Sequence, residues 1–166
     1  MDLTELGATI RRTRIDSGIS QLDLAGMSHL SRVTVNYAER GRVAVGADAL
    51  LRILQPLGLS IGGPQIPNQN AVGLLAKSAS VSFRSELPAT ELERAFVTGR
   101  VDDQWLPHFS TLIDEATDAM LLRGVREVAD RFEIPATTIW RNLKRLAATI
   151  ASPNPRWRHG NLSSGH

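Results

Sequence analysis

Between Gly18 and Gly41 the sequence GISQLDLAGMSHLSRVTVNYAERG fits two short helices into one unbroken stretch, and no other segment restricts the fold as tightly. Ser20 can cap a helix over 21–28 and Ser31 one over 32–40, because a serine hydroxyl accepts a hydrogen bond from a first-turn N–H that otherwise lacks a partner. Gly41 is placed to end the second. Helices this short are not stable alone in water and must bury an apolar face against each other. The residues for that are present. Ala25 is small enough for a close crossing, and Leu24, Leu30, Val35 and Ala38 fall where a shared core needs them.

Over its whole length this stretch resembles the Cro and phage-repressor class of helix-turn-helix, the Xre-type family. The resemblance implies an N-terminal DNA-binding domain of four to five helices over 1–61, with the second helix of the pair in the major groove of double-stranded DNA. Arg32, Val33, Asn36 and Tyr37 would lie on its exposed side, opposite Val35 and Ala38. Arg32 can make a bidentate contact to guanine, and Val33 can pack on a thymine methyl. Gln21 and Ser31 stand at helix starts where the family puts phosphate-binding groups, and Arg40 and Arg42 follow as backbone anchors. The resemblance also pairs Arg14 with Glu39 as a structural ion pair, which specifies geometry more reliably than it adds stability. His29 replaces the family's usual turn glycine, and histidine visits positive φ more readily than most side chains. An isolated histidine also raises metal binding, but no second His or Cys lies close in sequence. The alternative for the whole stretch is a helical hairpin that binds protein.

Elsewhere the periodicity is helical, so the expected class is all-α. Leu6, Ile10 and Ile15, with Ala8 between them, mark a helix over 4–15 that DSG at 16–18 ends. A further helix runs over 46–57 to Gly58. GGPQIPNQN at 62–70 crowds glycines and prolines together and is the expected linker to a second helical domain over 71–151. There 71–83 and 88–99 give two short helices. Residues 106–122 read as one longer helix, with Phe109, Leu112, Ile113, Ala116, Met120 and Leu121 on one face. Over 152–166 no periodicity remains, and a flexible tail is expected.

The stretch VREVADRFEIPATTIWRNLKRLAA, from Val125, has a similar layout. Val125, Val128, Ala129 and Phe132 form one apolar face, Ile139, Leu143 and Leu146 another, with EIP between. This resembles the C-terminal helix-turn-helix of Fis-type proteins, matched here by 125–150, and the helix before it stands where that family carries its packing and dimerising helix. Glu133 holds the position of the turn glycine. Pro135 and Ala136 open the recognition helix where the family has polar DNA-contacting residues, and proline can donate to neither base nor phosphate. The polar residues that remain, Thr138, Arg141, Asn142, Lys144 and Arg145, fit a backbone clamp that grips DNA without choosing sequence. Trp140 is expected to cover a helix-helix seam rather than to stack on a nucleotide. A helical pair used only for dimerisation is the alternative.

Charge is unevenly divided. Residues 1–62 hold seven Arg and six acids, 63–122 four bases and eight acids, and 123–166 eight bases and three acids. The basic end suits a polyanion and the acidic middle suits packing or a protein partner, while solvated helix faces would give the same distribution. Cysteine is absent, which removes disulfides and thiolate metal sites and is compatible with a reducing cytoplasm. No stretch approaches the roughly 20 apolar residues of a bilayer span, so neither membrane insertion nor secretion is expected. The Gly62–Gly63 pair leads into Pro64 and not into a phosphate-cradling loop. Asp102, Asp103 and His108 come nearest to a catalytic cluster, but acids at a helix start are favoured by the helix dipole alone. No catalytic residue, metal or cofactor is expected.

The expected function is therefore a cytoplasmic, nucleoid-associated transcriptional regulator that binds double-stranded DNA in a sequence-specific way, as a homodimeric repressor or autoregulator with two helix-turn-helix motifs. Two other classes stay open. One is an antitoxin that neutralises a toxin protein through the acidic middle and represses its own operon. The other is an architectural protein that bridges or bends DNA.

Overall fold

The computed structural model describes residues 2–61 and 70–157. Among them the chain forms nine α-helices and no strand, an all-α fold. The expected linker, apart from Asn70, and the expected tail beyond Trp157 lie outside the described residues.

The first three helices each begin on a side-chain cap. For α1 (Leu3–Asp16), Asp2 accepts from the Glu5 N–H at 2.8 Å and Glu5 accepts from the Asp2 N–H at 3.1 Å. Ser20 and Asp23 make the same reciprocal pair at the start of α2 (Gln21–Ser28). Ser31 caps α3 (Arg32–Glu39) by accepting from the Thr34 N–H at 3.1 Å. Leu6, Ile10, Leu24, Ala25, Val35 and Ala38 are buried together with Ile53 and Leu54 of α4 (Ala47–Leu57), and Leu30 packs partly buried against them. The stripe on α1 stops at Ile10. Ile15, expected in it, is 54% exposed and lines a shallow cleft with Ile134.

The remaining helices are α5 (Ala71–Ser80), α6 (Ala89–Thr98), α7 (Leu106–Glu115), α8 (Asp118–Phe132) and α9 (Ala136–Ile150). Here several expectations are corrected. The helix expected to reach residue 83 ends at Ser80, whose hydroxyl donates to the Ala76 carbonyl and accepts from the Leu87 N–H. The single helix expected over 106–122 is interrupted, because Ala116 is extended and Thr117 caps a new helix by accepting from the Met120 N–H at 3.2 Å. That new helix continues through Gly124. A Cβ there would lie 2.4 Å from Leu75 Cδ1, so this glycine permits a close crossing of α5 and α8 and does not end a helix. Phe132, expected in the core, is 43% exposed at the last residue of α8.

The expected tail is packed as far as Trp157. The Trp157 indole N–H donates to the Ile113 carbonyl at 3.1 Å, Asn154 donates to the Asp114 carbonyl at 3.0 Å, and Arg156 pairs with Asp118 at 3.4 Å. One buried tryptophan gives no sequence period but anchors the segment.

The N-terminal and C-terminal helices share one apolar core. Arg126 of α8 donates to Ser17 Oγ at 2.7 Å and to the Leu57 carbonyl at 3.4 Å, and Trp140 Nε1 of α9 donates to the Ser17 carbonyl at 2.6 Å. Burial, with repulsion from Arg123 added, lowers the Arg126 guanidinium to about 10, while Asp16 and Asp130 oppose the shift.

Trp157→Ala is expected to destabilise the chain by about 3 kcal/mol, as for other buried aromatics. Denaturant unfolding checks this. A free tail would leave the midpoint unmoved.

Candidate nucleic-acid interface

The α2–α3 turn depends on one left-handed residue. His29 sits at φ 55° and ψ 42°, and the next N–H, of Leu30, returns to the Ala25 carbonyl at 3.0 Å. This closes the end of α2 as a glycine would and sends the chain into the Ser31 cap. His29 itself is exposed. Among the described residues no group of three His, Cys, Asp or Glu side chains is placed to hold a metal ion.

α3 presents two different faces. Val35 and Ala38 are buried, and Glu39 points inward. On the outer side Arg32 and Val33 are exposed, with Asn36 and Tyr37 half-buried one turn further on. Arg40 follows, exposed, and the Arg42 guanidinium lies over the Tyr37 ring at 5.0 Å, held by the attraction between a cation and an aromatic face. The outer stripe therefore carries three guanidinium groups and no carboxylate.

Glu39 explains how that face stays free of negative charge. Its side chain is 3% exposed and is bound by the Arg14 Nε and Nη2 groups, while Arg14 Nη1 also holds the Ile19 carbonyl at 3.0 Å. The pairing of Arg14 with Glu39 is thus present. Gln21 joins it, donating from Nε2 to Glu39 at 2.8 Å. The side chain expected to bind phosphate is accordingly turned inward. No short-range spacing links Gln21 to Glu39, so sequence pattern could not have shown this contact. Asp23, two residues further along α2, is 5% exposed. Burial raises its carboxyl above the ordinary value, against the lowering effects of the Ser20 hydrogen bonds and the positive charges of Arg14 and Lys144.

The junction of α8 and α9 has the same backbone form. Glu133 sits at φ 52°, the Ile134 N–H returns to the Ala129 carbonyl at 3.1 Å, and Pro135 precedes the helix. Val35 and Ile139, at equivalent places in the two pairs, are both fully buried. The other faces differ. Where α3 exposes Arg32 and Val33, α9 buries Ala136 against Gly18, with Thr137 half-buried, and Trp140 is sealed against Ser17. Trp140 therefore covers a seam, as expected. Asn142, a proposed clamp residue, is buried and donates its amide to the Phe96 and Val97 carbonyls at 2.9 Å each, closing the end of α6. It is not available to DNA. Thr138 and Lys144 are half-buried, and Arg141 and Arg145 are exposed.

The residues considered for catalysis are not gathered into a site. Asp102 pairs with Arg94, at 3.4 Å, and makes no capping bond at the turn it precedes. His108 is buried on α7, stacked on Phe83, with Nε2 bonded to the Ser85 carbonyl at 2.7 Å.

Residues 5–63 match the family model described as a helix-turn-helix domain. The N-terminal module is a helix-turn-helix domain. No curated protein and no solved structure matches the chain. No helix among the described residues is long and apolar enough to cross a membrane.

Within the helix-turn-helix domain, Arg14→Ala leaves the buried Glu39 carboxylate short of its main partner and is expected to cost about 3 kcal/mol. Arg52→Ala, which breaks the exposed pair with Asp48, is expected to change stability by less than about 1 kcal/mol. Paired unfolding curves measure both. Equal effects would contradict a structural role for the buried pair.

Proposed function

We propose that the chain is a sequence-specific transcriptional regulator of the Xre type that reads double-stranded DNA with α3 in the major groove. The observation that carries this is the division of α3, with Val35, Ala38 and Glu39 withdrawn and Arg32, Val33, Asn36 and Tyr37 along the outer side. In that pose Arg32 pairs with guanine O6 and N7, Val33 meets a thymine methyl, and Asn36 has the donor and acceptor that adenine matches. Arg40, Arg42 and the Ser31 hydroxyl contact backbone phosphates, which fix register without adding base preference. The regulator acts as a homodimer on a partly palindromic operator with half-sites about one DNA turn apart, repressing the promoter it covers. It works at the nucleoid in the cytoplasm.

An architectural bridge between duplexes has less support, because the α9 face equivalent to the outer side of α3 lies against Ser17 and Gly18.

Selection of bound fragments from random duplexes supplies the test sequence. Against single-base variants of it, Arg32→Ala is expected to lose discrimination at one base pair, by about 1–3 kcal/mol. Unchanged discrimination would falsify the placement of α3. One short asymmetric footprint would rule out the dimer.

A further inference from the structure

We propose that α9 is a phosphate clamp for the same duplex that α3 reads, with Lys144, Arg141 and Arg145 as its cations; this rests on α3 being the DNA reader. The seam fixes the geometry. Trp140 is bonded to Ser17 and Ala136 lies against Gly18, so one side of α9 follows the corner between α1 and α2. Lys144 stands one helical turn beyond Trp140 on that side, close enough to the start of α2 for its charge to act on Asp23. Arg141 and Arg145 continue the row around the helix into solvent.

The chemistry points to a polyanion. α9 contains no acidic residue, and none of the three cations has an ion pair among the described residues. Neighbouring bases behave differently. Arg131 is paired with Glu93 and Glu127, and Arg156 with Asp118. The start of α2 also lacks a cation of its own. Gln21 is committed to Glu39, and the first turn carries the Asp23 carboxylate. Lys144 adds a positive charge from the second module at this edge, where the first module's Arg14 is committed to Glu39 and the Ile19 carbonyl. Burial of Ala136 and Trp140 withdraws from α9 the places that Arg32 and Asn36 hold on α3, and phosphate is the part of DNA that its exposed cations suit.

The experiment measures binding of the full chain to its selected duplex and to a random duplex across a salt series. Lys144→Gln and Arg145→Gln are each expected to weaken both complexes by the same factor and to reduce the slope of log K against log salt by about 0.9. Arg32→Ala, run alongside, is expected to lose base preference. If Arg32→Ala behaves as expected while both α9 variants keep the wild-type slope, the clamp is overturned and the α3 reading stands. If no duplex is bound, both fail. If Lys144 serves only to neutralise Asp23, Lys144→Gln lowers the unfolding midpoint without changing the slope and Asp23→Asn restores that midpoint, which also overturns the clamp. Arg145 is exposed, so its variant reports on DNA without a folding effect. Capture of a second duplex by one already bound would overturn the assignment to a single duplex.

Discussion

Ser17 joins the two ends of the chain. It is fully buried where α1 gives way to α2, its hydroxyl donates to the Thr13 carbonyl and accepts from Arg126, and its carbonyl accepts from Trp140. A buried serine whose groups are all bonded costs little, whereas one left unpaired in this setting would cost on the order of 1–3 kcal/mol. α8 and α9 therefore both close this corner off from water and supply the partners that its groups then need. With that seat made, α3 is fixed relative to α9, and what those helices present to solvent follows from the side chains at equivalent positions.

The comparison of α3 and α9 separates backbone from function. Both follow a left-handed residue, His29 or Glu133, and both bury a β-branched residue, Val35 or Ile139, under the same turn. That much is set by the requirement that two helices cross closely with their end groups satisfied. What the second helix does then depends on its outer residues. Arg32, Val33 and Asn36 give donors and a methyl surface that face out. Ala136 and Trp140 give a flat apolar patch with one indole donor, which suits another protein surface.

Legibility in the sequence followed the same division. Features set by local rules could be read directly. These include the caps at Ser20 and Ser31, the stop at Gly58, the two turn positions and the inner faces of α3 and α9. Features set by contacts distant in sequence could not. No local pattern shows that Gly124 must admit Leu75, and Asn142 looks like a DNA contact until the end of α6 is placed beneath it. Gln21 has the right position for phosphate, yet its amide is bound to Glu39. The break at Thr117 did carry a local signal, a threonine able to cap. It was masked because Ala116 and Met120 extend the apolar period across it.

The seam also changes what the charge asymmetry means. On a flexible tether, the basic C-terminal part would be a separate weak site whose contribution falls with linker length and the entropy of ordering it. Held by Ser17, Arg126 and Trp140, its cations keep a fixed offset from α3, and that ordering cost is met when the chain folds, not when it binds. The buried Arg126 is the counterpart. Arg126 is buried, and taking its guanidinium out of water costs the fold at the seam and lowers its pKa to about 10. A charged residue there specifies one arrangement of the two modules more sharply than an apolar one would, because the seat must compensate the charge, as Ser17 Oγ, the Leu57 carbonyl and the negative charges of Asp16 and Asp130 do.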